Sequence, residues 1–147
     1  MTRLSHLGGL QRVAVSSTGA PVAPLGPDPR ALMARFVDLF YRRRQVRAAF
    51  ESCVVRTGFV DHDPSRPGGR QAAIELLARK LADPDFRVEV EQVFIEGDRA
   101  VVHARIDHGG VASQRMDLFR LVDGRIAEHW GFVEGAPAPQ AESLTTS

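Results

Sequence analysis

Asp117 and His103 are the side chains best placed by type and spacing to move a proton. Each sits within a run of alternating apolar residues, VVHARI and RMDLFRLV. Such alternation marks β-strands with one buried face. A carboxylate enclosed by Phe119 and Trp130 loses hydration, which should raise its pKa and suit it to carrying a proton near neutrality. A neighbouring imidazole could hold that proton, orient the carboxyl group or polarise a carbonyl. The pair is therefore a candidate for moving a proton from carbon to oxygen, and a buried structural hydrogen bond is the competing reading.

Whether the two groups meet depends on strand register. Two-residue turns at Gly97-Asp98 and Asp123-Gly124 pair Gln92 with His103, and Asp117 with Trp130. A three-residue reversal over Gly109 to Val111 then sets His103 opposite Asp117, whereas a two-residue one breaks the row. The row reads Gln92, His103, Asp117, Trp130. Val88, Val90, Phe94, Val101, Phe119, Leu121, Ile126 and Phe132 share its face, with Arg105, Arg115 and Glu128 as the other polar members. A largely apolar concave face with a few converging polar groups is the pattern of a small-molecule pocket. The opposite face, with Val93, Ile95, Val102, Ala104, Ile106, Met116 and Leu118, is too apolar for water. It is expected to pack on a second copy of the chain or on the N-terminal segment.

The elements that carry these strands follow from the spacing upstream. Asp28-Pro29 is a helix start, a capping carboxylate before a proline at the first helical position. Leu32, Met33, Phe36, Val37, Phe40 and Tyr41 then form one stripe of helical period. A shorter helix is predicted over Val46 to Cys53. After the breaks at Asp63-Pro64 and Gly68-Gly69 comes a third, with Ile74, Leu77, Ala78 and Leu81 on one face. Three helices followed by a four-strand meander make an α+β domain over residues 28–134. Residues 1–27 and 135–147 read as tails, although QRVAV could add an edge strand.

Composition narrows the partners. The 147 residues suit one domain, and 44% are hydrophobic, enough for a core. A net charge of +1 gives no electrostatic reason for nucleic acid or an anionic membrane. Eighteen arginines stand against the single Lys80, and Arg42-Arg43-Arg44 reads most simply as a solvated helix end, with Arg43 and Arg44 as the alternative anion contacts. Cys53 is the only cysteine, so an internal disulfide and a thiolate-rich metal site are excluded. It is read as a buried structural thiol. The start lacks a continuous apolar stretch, so neither a signal peptide nor an anchor is expected and the cytoplasm is the default location.

Phe59-Val60-Asp61-His62-Asp63-Pro64 resembles a Y-I-Q-H-N-P segment. Gly97 to His103, Asp117 to Arg120 and Asp123 to Trp130 continue the same resemblance in order, over about Asp28 to Val133. The family is the SnoaL-like branch of the NTF2-like superfamily, named for polyketide cyclases. The resemblance implies a cone-shaped α+β barrel, usually dimeric, with one pocket and neither metal nor cofactor. It also implies an Asp acid/base with a His helper, at positions matched by Asp117 and His103. Two departures stand out. Asp61 and Asp63 replace the usual Gln and Asn, and Gly131 replaces an Asp after Trp130; by alternation Gly131 points outward.

His62 lies at the expected pocket mouth, as a gate, a substrate contact or a surface histidine. Metal binding by Asp61, His62 and Asp63 is disfavoured, since adjacent residues on a strand do not converge on one ion. Tyr41 could donate to an enolate oxygen or simply pack in the core. Trp130 supplies a wall, and His129 alternates to the outer face. The expected function is cofactor-independent acid/base chemistry on a small carbonyl compound: cyclisation, isomerisation or dehydration. The alternatives are a non-catalytic ligand-binding or dimerisation module, and a water-activating enzyme of epoxide-hydrolase type using Asp117 and Glu128.

Overall fold

The computed structural model describes residues 27–66 and 68–134. Helix α1 spans Pro29–Phe36, and its start is as predicted: the Asp28 carboxylate accepts a hydrogen bond from the Arg30 N–H at 3.0 Å. The helix then widens into a π-helical turn over Val37–Arg42, closed by the Arg43 N–H donating to the Asp38 carbonyl at 2.9 Å. The extra residue in that turn brings both Phe40 and Tyr41 onto the buried side. Helix α2 is Val46–Cys53, β1 Val60–Asp61 and α3 Arg70–Ala82. Strands β2 (Phe86–Glu96), β3 (Arg99–His108), β4 (Val111–Val122) and β5 (Arg125–Glu134) form the predicted meander.

The sheet order is β1-β5-β4-β3-β2, with β1 added in parallel to β5. The result is an α+β fold in which a curved sheet stays open and is covered by helices, as the cone implied by the resemblance requires. Its core joins the helical stripe (Met33, Phe36, Phe40) and Phe50 of α2 to Val102, Ile106, Phe119 and Ile126 from the sheet. Cys53 is buried there, and burial pushes its thiol pKa up. No helix among the described residues is long and apolar enough to cross a membrane. The possible strand QRVAV lies outside the described residues, as do both tails beyond residues 27 and 134.

Both outer turns have the predicted length, since Glu96 pairs with Arg99 and Val122 with Arg125. The middle reversal does not. His108 pairs with Val111, so Gly109 and Gly110 alone make the turn, at φ 61° and 85°. Two consecutive positive φ values are the hallmark of a tight hairpin turn that glycine accepts without strain. A second departure lies in β5. The pairing changes from Leu121↔Ile126 to Arg120↔Glu128, so Ala127 is an extra residue and everything after it turns to the other face. A similar shift at Glu91 in β2 puts Phe94 on the outer side and Val93 on the side of Val102, although both remain exposed.

The predicted row is therefore two rows. One runs Gln92, His103, Met116, Phe132, the other Val93, Val102, Asp117, Gly131. Only the second faces the core, because Val102 and Asp117 are buried while Met116 and Phe132 are exposed. The predicted division of faces is corrected accordingly. Val102, Ala104 and Ile106 are interior, and Val101, Phe94 and Phe132 are not.

Candidate functional site

Beneath the helices the inner sheet face closes on a cavity of about 60 Å³. That is room for about four to six water molecules. Its walls are apolar, with Phe36, Phe40, Phe50, Phe59, Phe86 and Phe119 among the lining residues, and its polar floor holds Tyr41, Asp61, Arg66, Arg115, Asp117 and His129.

Asp117 is the centre of that floor. Its Oδ2 accepts from the Tyr41 hydroxyl at 2.7 Å, its Oδ1 lies 2.7 Å from His129 Nε2, and Arg115 Nε donates at 2.9 Å. The π-helical turn sets Tyr41 there, and the bulge at Ala127 sets His129 there. On its other ring nitrogen His129 meets Asp61 Oδ1 at 2.8 Å. Asp61 Oδ2 takes Arg66 at 3.0 Å, Arg66 also reaches Asp63 at 3.0 Å, and Arg115 Nη2 reaches the same Asp63 oxygen at 3.2 Å. The circuit closes on itself. Asp63 is held in its loop by the Ser65 N–H and hydroxyl, at 3.0 and 2.7 Å.

These bonds decide the protonation states. Burial alone would raise the Asp117 pKa, as expected from sequence, but the hydrogen bond from His129 and the charge of Arg115 outweigh it and hold the carboxyl far below the usual range. Burial would likewise favour neutral His129, yet its hydrogen bonds to Asp117 and Asp61 raise its pKa. Both ring nitrogens face carboxylate oxygens, which only accept, so the ring satisfies both as imidazolium. Burial and the facing Asp117 carboxylate raise the Tyr41 phenol well above its ordinary value. At neutral pH the floor thus presents an ionised carboxylate in contact with a protonated phenol.

Of the side chains singled out from sequence, Asp117, Tyr41 and Phe119 meet at this cavity. Phe119 packs between Phe36 and His129, with ring centroids 5.4 and 5.2 Å away. The others lie on the outer face. His103 bonds Gln114 at 2.7 Å and pairs across strands with Gln92, on the far side of the sheet from Asp117. Arg105 bonds Glu89 at 2.7 Å. Trp130 stacks on His62 with centroids 4.5 Å apart, His62 bonds Glu128 at 2.9 Å, and Glu128 also pairs with Arg120. The expected partnership of His103 with Asp117, and of Asp117 with Glu128, is corrected by the two-residue turn and the bulge. His62 is a group of this outer cluster and does not line the cavity.

His129, which strand alternation sends outward, faces the cavity because of the bulge at Ala127. Nothing local in RIAEHWGF marks the bulge. Arg115 already stood on the predicted face, whereas Asp61, Asp63 and Arg66 come from a loop whose path only the fold supplies. Gly131 is also inward. A Cβ there would overlap Arg115 Nη2 and stand 2.9 Å from Asp63 Oδ2. The glycine leaves the space through which Arg115 reaches Asp63, so Gly131 and Asp63, both departures from the family motifs, are structurally linked. Among the described residues no group of three or more His, Cys, Asp or Glu is arranged to hold a metal ion.

Known proteins agree with this architecture. No curated protein sequence matches the chain at a significant level. An NTF2-like protein of unknown function from Mesorhizobium loti is 28% identical, with a TM-score of 0.60 over 77% of this chain and 100% of its own. Another NTF2-like protein of unknown function, from Cytophaga hutchinsonii, is 17% identical with a TM-score of 0.60, covering 76% of this chain and 95% of its own. A Jannaschia protein assigned to the SnoaL-like polyketide cyclases is 23% identical with a TM-score of 0.57, covering 82% and 100%. The family description "SnoaL-like domain" matches residues 33–129, which runs from the second half of α1 to His129 and hence takes in the whole polar floor. The chain belongs to the SnoaL-like domain family.

Proposed function

We propose that the chain is a cofactor-independent acid/base enzyme acting on a small carbonyl compound in this cavity. The observation that carries the proposal is the 2.7 Å contact between the ionised Asp117 and the protonated Tyr41 hydroxyl, on the polar floor of a cavity whose other walls are apolar. Enolisation needs a base at the carbon beside a carbonyl and a proton donor at the carbonyl oxygen. Asp117 takes the first role and Tyr41 the second. In the resting arrangement Asp117 is a weak base, because three donors share its charge. A substrate carbonyl that draws the Tyr41 O–H toward itself removes one of those donors and strengthens the base as the proton is needed. His129, pinned by Asp61, orients the carboxylate. The enolate so formed is the common intermediate of cyclisation, isomerisation and dehydration, the chemistry for which the SnoaL-like cyclases are named.

The test is hydrogen exchange. With methyl acetoacetate in deuterated water at low pH, where the spontaneous rate is small, the protein should accelerate exchange of the protons beside the carbonyl. Tyr41→Phe should slow that exchange by about 10²-fold. A wild-type rate equal to buffer would overturn the proposal.

The saturation of Asp117 by donors favours a second reading, a ligand-binding module whose floor is structural. It would show saturable binding of the same ester with no exchange.

The outer face supports pairing of two copies. Phe94, Met116 and Phe132 are 53%, 42% and 58% exposed, beside half-buried Val101, Leu118 and Trp130. A patch of that kind marks an interface. Sedimentation should show a dimer, and Phe132→Asp with Met116→Lys should weaken it by at least about 10²-fold. A wild-type chain that sediments as a monomer would remove the dimer.

A further inference from the structure

The polar floor is electrically complete without any ligand. Asp61, Asp63 and Asp117 contribute three negative charges, and Arg66, Arg115 and imidazolium His129 three positive ones, all in direct pairs. Each guanidinium already spans two carboxylates. Lys80 lines the same cavity and stands outside that balance. Its ammonium rests 5.2 Å from the Phe86 ring centroid, and among the described residues it makes no ion pair with a carboxylate. Partial burial lowers its pKa first, Arg115 and Arg66 lower it further, and Asp63 and Asp117 work the other way. Its side chain is solvent-exposed where the floor groups are buried, which puts it at the mouth. It is also the only lysine in the chain against eighteen arginines. A compact ammonium on a flexible stem suits an arriving charge, whereas the planar arginine fork suits the fixed carboxylates below.

We infer that the cavity takes an anionic substrate: a small carbonyl compound bearing a carboxylate, held by Lys80 at the mouth with its carbonyl end on Tyr41 and Asp117. This rests on the acid/base reading of the floor and adds the class of compound. A neutral ligand leaves one positive charge uncompensated beside two further cations. A singly charged anion neutralises the site. The carboxylate finds no free cation at the inner position, because Arg66, Arg115 and His129 each already span two carboxylates there, so the charge distribution also sets which end of the substrate enters first.

Calorimetric titration with acetoacetate and with methyl acetoacetate isolates the charge, since the two share the carbonyl and differ at the acid group. The wild-type protein should bind acetoacetate about tenfold more tightly than the ester, the range of one charge-assisted contact that stays partly in water. Lys80→Met should abolish that preference, and Lys80→Arg should keep most of it. Acetoacetate binding no better than its ester, failing to bind, or binding Lys80→Met as well as wild type would overturn the inference. Binding and exchange report separately. Exchange on the ester without preference for the acid sinks the anion site alone, and anion preference without exchange sinks the acid/base reading alone.

Discussion

Replacing Asp117 by alanine should lower stability by about 3–5 kcal/mol, and replacing it by asparagine should reduce carbon-acid exchange by about 10³-fold or more. The two variants separate the two jobs of one residue. Alanine strands three donors at once: the Tyr41 hydroxyl is left with no acceptor, His129 loses one of its two carboxylates, and Arg115 keeps only Asp63. All three are buried or nearly so, which makes the loss a desolvation cost and more than a missing contact. Asparagine keeps the shape and one acceptor oxygen, so the fold should survive, but it cannot take a proton. Urea midpoints measure the first effect and deuterium incorporation the second. An Asp117→Asn protein that exchanges at the wild-type rate would remove Asp117 from the chemistry while leaving its structural role intact.

Stability should pass through a maximum at mildly acidic pH. Asp61, Asp63 and Asp117 all have folded pKa values below their ordinary ones, each against the opposing pull of burial. The hydrogen bonds that win are those from His129 to Asp61 and Asp117, and from Ser65 to Asp63. Groups of this kind stabilise the fold fully above the unfolded carboxylate pKa of about 3.9, and that contribution fades as pH falls toward the folded values. His129 has the opposite sign. Its folded pKa is raised, so its contribution is complete below the unfolded value of about 6.5 and is lost as pH rises through the folded value. The window between those limits, about pH 4.5 to 6.5, should hold the optimum. His129→Gln keeps a hydrogen-bonding side chain without the titration. It should cost about 3 kcal/mol at pH 6 and flatten the alkaline limb. An alkaline limb of unchanged slope in that variant would show that His129 is not the group responsible.

The helices were readable because their signals are local. Asp28-Pro29 caps α1, the apolar stripe of Leu32 to Tyr41 marks its buried side, and Val46 to Cys53 fixes α2 to the residue. The two hairpin turns beside Gly97 and Gly124 were equally legible, since turn residues carry their own conformational preference. The site was half legible. Asp117 and Phe119 were placed correctly because β4 runs without interruption from Arg115 to Leu121 on the inner face. His103, Trp130 and Glu128 were placed on the wrong side because strand alternation has a period of two, so one residue more or less inverts every position beyond it.

What the chain determined by itself is therefore the set of elements, the α+β class and the presence of an acid on a greasy sheet face. Tertiary structure alone decided which imidazole meets that acid, and in which protonation state. The bulge at Ala127 is a compromise among β1, β4 and the helices that no single stretch encodes. The loop bringing Asp61, Asp63 and Arg66 beneath the helices turns what looked like an isolated, desolvated acid into a neutralised ring of charges. Burial is a local property that composition foretells, whereas the partners that offset it lie as far apart in sequence as Tyr41 and Asp117 and are brought together only by the fold.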